Sequence, residues 1–240
     1  QYTLVPTEGA NALIGTLGAD AIDALGGNDQ LLGYAGNDSL RGGAGDDRVF
    51  GHGGNDTLAG GTGSDTLYAG AGDNLYSYAV GDGGDTILGR LLADFGGSDT
   101  LRLGAGITAS AVTLSRPMVE VGGQTVASVD DITLSFGGAD RITLGRWIDG
   151  PGYTLGRIEF ADGTVWTPQD VLTRLPAATP GNDSVHGSGY AETLAAGAGN
   201  DTVYGFAGAD TLIGGTGADW LEAGAGDDVY VFGAGDGEDS

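Results

Sequence analysis

Aspartates recur every nine residues at Asp20, Asp29, Asp38, Asp47, Asp56 and Asp65. Each has a glycine two positions before it (Gly18, Gly27, Gly36, Gly45, Gly54, Gly63) and an apolar residue two positions after it (Ile22, Leu31, Leu40, Val49, Leu58, Leu67). The register returns at Asp183, Glu192, Asp201, Asp210, Asp219 and Asp228, with apolar partners Val185, Leu194, Val203, Leu212, Leu221 and Tyr230. Carboxylates and glycine-flanked backbone carbonyls, in a chain with no cysteine and two isolated histidines, make a hard oxygen donor set. Such a set favours Ca²⁺ over Zn²⁺ or copper, and over Mg²⁺, which demands a smaller octahedral shell.

The elements that position these groups follow from the period. A helix cannot use nine residues, whereas a stacked coil of turn, carboxylate and one buried side chain can. Each unit reads as about six residues of turn and three of strand, as in Gly42 to Asp47 followed by Arg48-Val49-Phe50. Three extended residues turn the middle one inward, while glycines allow left-handed backbone and leave carbonyl oxygens uncovered. Successive turns then alternate between two sides, so aspartates 18 residues apart, such as Asp29, Asp47 and Asp65, form a column at the ~4.8 Å spacing of stacked strands. At that spacing each neighbouring pair costs on the order of 3 kcal/mol at an effective dielectric near 20, and the column must bind cations.

The balance of 9 Lys+Arg against 33 Asp+Glu gives a net charge of −24, which repels nucleic acid and anionic lipid. Glycine, at 50 of 240 residues, would suggest disorder were it not periodic. No apolar run reaches the ~18 residues of a membrane span, and no signal peptide is visible at the N-terminus.

The first block runs from a degenerate unit at Gly9-Ala10-Asn11 to Asp73-Asn74-Leu75-Tyr76 and holds eight units; the second holds six. Between them glycine thins and alternating segments appear at Thr100 to Leu103, Asp131 to Phe136 and Arg141 to Leu144, which read as strands. Pro168 after Thr167 predicts a capped two-turn helix through Leu175. The segment from Asp73 to Thr86 recurs from Asp227 to Ser240, a constant 154 residues on, so the chain reads as one and a half copies of a module cut from a longer protein. The expected division is a first roll at 1–78, a β-rich intervening domain at 79–178, a second roll at 179–232 and the start of a further intervening domain at 233–240.

Both blocks resemble the glycine-rich nonapeptide of repeats-in-toxin proteins, best in Gly42 to Phe50 and Gly60 to Tyr68. The segment between them is similar to the domain that intervenes in large haemolysin-type calcium-binding proteins, through Gly81 to Ile87, Asp99 to Gly104 and Ile158 to Trp166. The resemblance implies an all-β chain of two parallel β-rolls flanking a β-rich segment with at most one short helix. It implies Ca²⁺ held between neighbouring loops by the sixth-position aspartates Asp20, Asp29, Asp38, Asp47, Asp56, Asp65, Asp183, Asp201, Asp210, Asp219 and Asp228. Loop carbonyls would join them, at Gly15, Gly18, Gly33, Gly36, Gly42, Gly45, Gly51, Gly54, Gly60 and Gly63 in the first block and Gly199, Gly205, Gly208, Gly214 and Gly217 in the second. Asn11, Asn74, Glu192, Pro180 and Tyr190 depart from the pattern, and sites there should be weak or absent. Pairing loops 18 residues apart gives about ten sites at most, and full occupancy would bring the charge from −24 to about −4.

The family implies export by a one-step (type I) system, folding outside the cell and a secreted or surface location, with no catalysis by this segment. Alternatives are a calcium-rigidified adhesin or carbohydrate-binding module, or an accessory part of a secreted enzyme or toxin. Trp147, Tyr153, Trp166 and Trp220 fit a sugar-binding surface, or packing, which the apolar strands around Trp147 and Trp166 favour. His52 and His186 read as surface residues, Ser64 and Ser184 lack a nucleophile-elbow context, and Glu159 with Asp162 reads as a turn.

Overall fold

The structure is a computed structural model that describes residues 6–88, 98–116, 118–121, 124–127, 131–145, 155–175 and 178–240. The contacts of the described residues divide into two units, one within 6–145 and 155–173 and one within 174–240. In the first unit each nonapeptide supplies one strand: β1 (Ala12–Ile14), β2 (Ala21–Asp23), β3 (Gln30–Ala35), β4 (Ser39–Ala44), β5 (Arg48–Gly53), β6 (Thr57–Thr62), β7 (Thr66–Ala71) and β8 (Leu75–Tyr78), with β9 (Gly84–Leu88) following. Because each turn reverses the chain, a strand pairs in parallel with the strand two units on, Leu31 beside Val49 and Leu40 beside Leu58. One sheet therefore holds β1-β3-β5-β7-β9 and the other β2-β4-β6-β8. Leu13, Leu31, Leu40, Val49, Leu58, Leu67 and Tyr76 point between them and are buried, the inward position that the alternation of a strand assigns to them.

Interior strands have six residues, not the expected three. Pairing continues into the loop, Gly43 beside Gly61 and Ala44 beside Thr62, because glycine lets neighbouring loops approach closely enough to keep bonding. The end strands β1 and β2 have the short form.

Both sheets continue past the nonapeptides. The later strands are β10 (Thr100–Leu103), β11 (Thr113–Ser115), β12 (Met118–Val121), β13 (Gln124–Ala127), β14 (Ile132–Gly137), β15 (Asp140–Gly145), β16 (Arg157–Phe160) and β17 (Val165–Trp166). β10 adds in parallel to β8, and β16 adds in parallel to β10. On the other sheet β15 adds in parallel to β9, then β14 and β11 follow antiparallel. The roll edge is thus covered by apolar strands whose Leu101, Leu103, Ile132, Leu134, Ile142, Leu144 and Ile158 are buried, which satisfies a backbone edge that would otherwise be open to pairing. The helix α1 spans Pro168–Leu172, one turn shorter than expected, and is closed by a capping box between Thr167 and Asp170.

The second unit repeats the roll with β18 (Ser184–Ser188), β19 (Thr193–Ala198), β20 (Thr202–Phe206), β21 (Thr211–Thr216), β22 (Trp220–Glu222) and β23 (Val229–Val231). Its sheets are β18-β20-β22 and β19-β21-β23, around Val203, Leu212 and Leu221.

Among the described residues, four other than glycine hold left-handed backbone: Leu25, Tyr34, His52 and Phe206, at φ 73°, 72°, 73° and 72°. All occupy the second loop position, where Gly43, Gly61, Gly70, Gly197, Gly215 and Gly224 stand in sister units. Each costs roughly 1–2 kcal/mol relative to a glycine there.

Close approach sets the cost of adding a side chain. Gly61 has φ 104° and its α-carbon faces the Gly43 carbonyl oxygen, whereas Gly137, also at φ 104°, has open space. Gly61→Ala is expected to lower the stability of the calcium-loaded protein by well over the ~1 kcal/mol of backbone strain alone. Gly137→Ala should lose only that strain, and thermal denaturation of both variants measures the difference.

Candidate metal centre

The carboxylates of each column form a ladder. Oδ1 of Asp38, Asp47, Asp56 and Asp65 accepts from the backbone N–H of the aspartate one coil earlier, at 2.9, 2.8, 2.8 and 2.8 Å. Asp201, Asp210, Asp219 and Asp228 repeat it at 2.8, 2.9, 2.8 and 2.9 Å. These bonds use one oxygen of each group. The other, Oδ2 of Asp29, Asp38, Asp47, Asp56, Asp65, Asp201, Asp210 and Asp219, is buried with no hydrogen-bond partner. An unpartnered carboxylate oxygen away from water is a costly arrangement, and eight repetitions in register mark a place built for a cation.

Glycine keeps that place open. A methyl on Gly33, Gly42, Gly51, Gly60 or Gly214 would run into the Oδ2 atom of Asp38, Asp47, Asp56, Asp65 or Asp219. On Gly42 it would also lie 2.7 Å from the Gly60 carbonyl oxygen, and on Gly51 2.6 Å from that of Ala69. On Gly205 it would lie 2.7 Å from Asp210 Oδ2. Glycines at the fourth loop position do something else: Gly45, Gly54, Gly63, Gly208 and Gly217 lie against the carbonyl of the loop 18 residues earlier, as Gly36 does against Gly18 and Gly199 against Gly181.

The asparagine units show what fits. Asn74 Nδ2 donates to the carbonyls of Gly70 and Gly72 at 3.1 and 3.3 Å and to Asp99 Oδ1 at 2.9 Å. Asn11 Nδ2 likewise bonds the carbonyls of Thr7 and Gly9 and Asp29 Oδ1. In these loops an amide carries the positive hydrogens that the carbonyls and the neighbouring carboxylate attract. In the aspartate loops the corresponding atom is an anionic oxygen, so a cation must supply the positive charge. Among the described residues no three His, Asp or Glu side chains converge on one point. Each cradle therefore offers carboxylate and carbonyl oxygen, the donor chemistry of Ca²⁺. Bound there, Ca²⁺ would be held by the eight Oδ2 atoms and adjacent loop carbonyls, and it would neutralise the columns.

Not every sequence candidate stands in such a cradle. Asp20 Oδ2 accepts from the Thr16 amide and hydroxyl at 2.6 and 3.0 Å, and Asp183 Oδ2 from the Thr179 amide and hydroxyl at 2.8 and 2.9 Å. Gly15, beside Asp20, belongs to this capped end. Asp228 is half-buried at the outer coil. The signal for a cap is a threonine four residues before the aspartate, which periodicity alone passes over. Asp85, Asp99 and Asp239 were missed because they leave the nine-residue register. Their Oδ1 atoms accept from the amides of Asp65, Asn74 and Asp219 at 3.0, 2.9 and 3.1 Å, so insertions lengthen the loop while the ladder continues. A second ladder lies one residue earlier, with Asn28, Asn37, Asp46 and Asn55 accepting from the loop one coil later.

Trp166 is buried edge-on to Phe160, with centroids 4.8 Å apart. Trp220 is exposed, and Trp147 and Tyr153 lie outside the described residues. Glu159 bonds Arg102 and Arg157, and Asp162 closes a turn onto the Thr164 amide.

The chain's sequence matches the RTX calcium-binding nonapeptide repeat (4 copies) over residues 6–40, 25–58, 50–87, 186–217 and 204–238. The matches cover more than half of the chain. The chain belongs to the RTX calcium-binding nonapeptide-repeat family. Residues 131–170 match the haemolysin-type calcium binding protein related domain, which in this RTX chain includes β14 to β17 and so part of the cover over the roll edge. No match to a curated protein was found.

Burial pushes the Asp65 carboxyl up to about 6 and that of Asp85 up to about 8, against the lowering effect of the N–H bonds they accept. Asp47, Asp56 and Asp210 are raised for the same first reason. Carboxyls raised in the fold above the ordinary 3.8 cost nothing below that value and destabilise increasingly as pH rises through about 6 and then about 8. Chelator-treated RTX protein is therefore expected to hold more β-structure at pH ~5 than at pH ~8.5. Calcium should reverse the trend, since protons compete with it for the same oxygens; circular dichroism melts across pH test both.

Asp47→Asn would place an amide where Asn74 has one. It should lower calcium stoichiometry while raising the residual β-structure of the calcium-free protein. Asp47→Ala should lower both, and calorimetric titration alongside circular dichroism separates the two variants.

Proposed function

We propose that this chain is a calcium-triggered folding module of a larger secreted or cell-surface protein, exported by a one-step (type I) system, folding outside the cell and having no catalysis of its own. The observation that carries the reading is the set of eight buried Oδ2 atoms without a partner, six of them beside a glycine-opened cradle of carbonyl oxygen. Without cations the columns repel themselves, and a chain with 50 glycines has much backbone entropy to lose on folding. In calcium-poor cytosol the rolls stay open; in millimolar calcium outside they close. A site held at tenfold its dissociation constant adds ~1.4 kcal/mol, so several linked sites turn a disordered chain into a folded one. The eight orphaned oxygens are in keeping with a ceiling of about ten sites from loop pairing.

Titrating calcium into chelator-treated protein while following far-UV circular dichroism should give a cooperative rise in β signal. Magnesium at equal concentration should give little. An unchanged spectrum would overturn the reading. Asp47→Ala should move the midpoint to higher calcium more than Asn74→Ala, because the Asn74 position is already closed by its own amide.

A further inference from the structure

Both rolls carry an aromatic array on the outward face of one sheet. In the first, Tyr34 stacks on His52 with centroids 5.5 Å apart and planes 11° apart, His52 stacks on Phe50 at 6.3 Å, and Phe50 meets Tyr68 at 6.5 Å. In the second, His186 stacks on Tyr204 at 5.1 Å and on Phe206 at 5.9 Å, and Tyr204 lies 6.2 Å from Phe206. The arrays occupy equivalent places, since Phe50 and His52 correspond to Tyr204 and Phe206 at the 154-residue spacing. Tyr34 is 43% exposed and Phe206 46%.

Three of these rings, on Tyr34, His52 and Phe206, are held by left-handed backbone in a position that sister units fill with glycine. Glycine would relieve the strain, and Leu25 shows that the position also takes a side chain without a ring, so the rings are kept at a backbone cost. Beside each array on the same outward face runs a polar row, Gln30-Arg48-Thr66 in the first roll and Ser184-Thr202 in the second, with Trp220 next in that line. Flat ring faces flanked by hydroxyl, amide and guanidinium groups match an amphipathic ligand with apolar C–H faces and equatorial hydroxyls. The chain stays net acidic on calcium loading, from −24 to about −8 with eight ions, which disfavours an anionic one.

We propose that each aromatic face binds an uncharged polysaccharide lying along its own roll axis, the rings stacking on sugar faces and the adjacent polar row bonding hydroxyls. This site is separate from the calcium columns, and its ligand is recognised by the folded roll.

The test uses the full calcium-loaded chain, with folding verified by the calcium-induced circular dichroism signal. Probes are a soluble β-glucan, xyloglucan and galactomannan, with alginate as the anionic comparison, in affinity electrophoresis and calorimetric titration. The triple variant Tyr34→Gly, His52→Gly, Phe206→Gly removes the strained rings and places the residue that sister loops already carry. Binding of at least one neutral polysaccharide by the parent, weakened about tenfold or more in the folded variant, is expected. Absence of neutral-polysaccharide binding by the folded parent would overturn the proposal. So would equal binding by parent and variant, or binding confined to alginate. Failure of calcium to fold the parent would overturn the calcium reading instead, and circular dichroism reports it separately.

Discussion

The backbone N–H of one loop reaching the aspartate Oδ1 of the loop 18 residues on is the contact on which the rest depends. It fixes the coil spacing, as in the 2.8 Å bond from Asp29 to Asp47 and the next from Asp47 to Asp65. It also satisfies only half of each carboxylate. The same bond that builds the stack therefore strands a second oxygen in a buried place, and stability becomes conditional on a cation arriving there. Structure and calcium dependence are two consequences of one hydrogen-bonded ladder.

Glycine serves that ladder in two separate ways. At the first loop position its missing side chain leaves room for Oδ2, as Gly42 does for Asp47. At the second and fourth positions it permits positive φ and lets carbonyls of successive loops come close, as Gly61 does over Gly43. A hydrophobic core of one inward side chain per nine residues is too thin to organise such loops alone. The apolar strands β10, β14, β15 and β16 thicken it at one edge, and they do so as further strands of both sheets, which is why the sheets run through residue 78 without a break.

The first coil of each roll and the last nonapeptide of the first are closed by neutral chemistry. Asn11 and Asn74 turn an amide toward loop carbonyls, and Thr16 and Thr179 bond the carboxylates of Asp20 and Asp183. These substitutions convert cation-requiring loops into self-satisfied ones, so the requirement for calcium is confined to interior loops. The aromatic residues at left-handed positions show the opposite tendency, keeping strain where glycine was available.

The nine-residue spacing by itself determined the roll, its inward residues, the alternation of two columns and the oxygen-only character of the site, because each is a property of residue type at a fixed interval. Helix α1 was legible for a similar reason, since Thr167 and Pro168 act locally. Strand length, the continuation of both sheets into β10 and β15, and the roles of Asp85, Asp99 and Asp239 were decided only by tertiary structure. In those cases the interval is 20 or 25 residues, and what brings the groups together is the pairing of distant strands. Which carboxylates remain unsatisfied was likewise settled in three dimensions. Asp20 and Asp47 look alike along the chain, but the one has a threonine hydroxyl turned back on it and the other has its second oxygen against a glycine, without a donor.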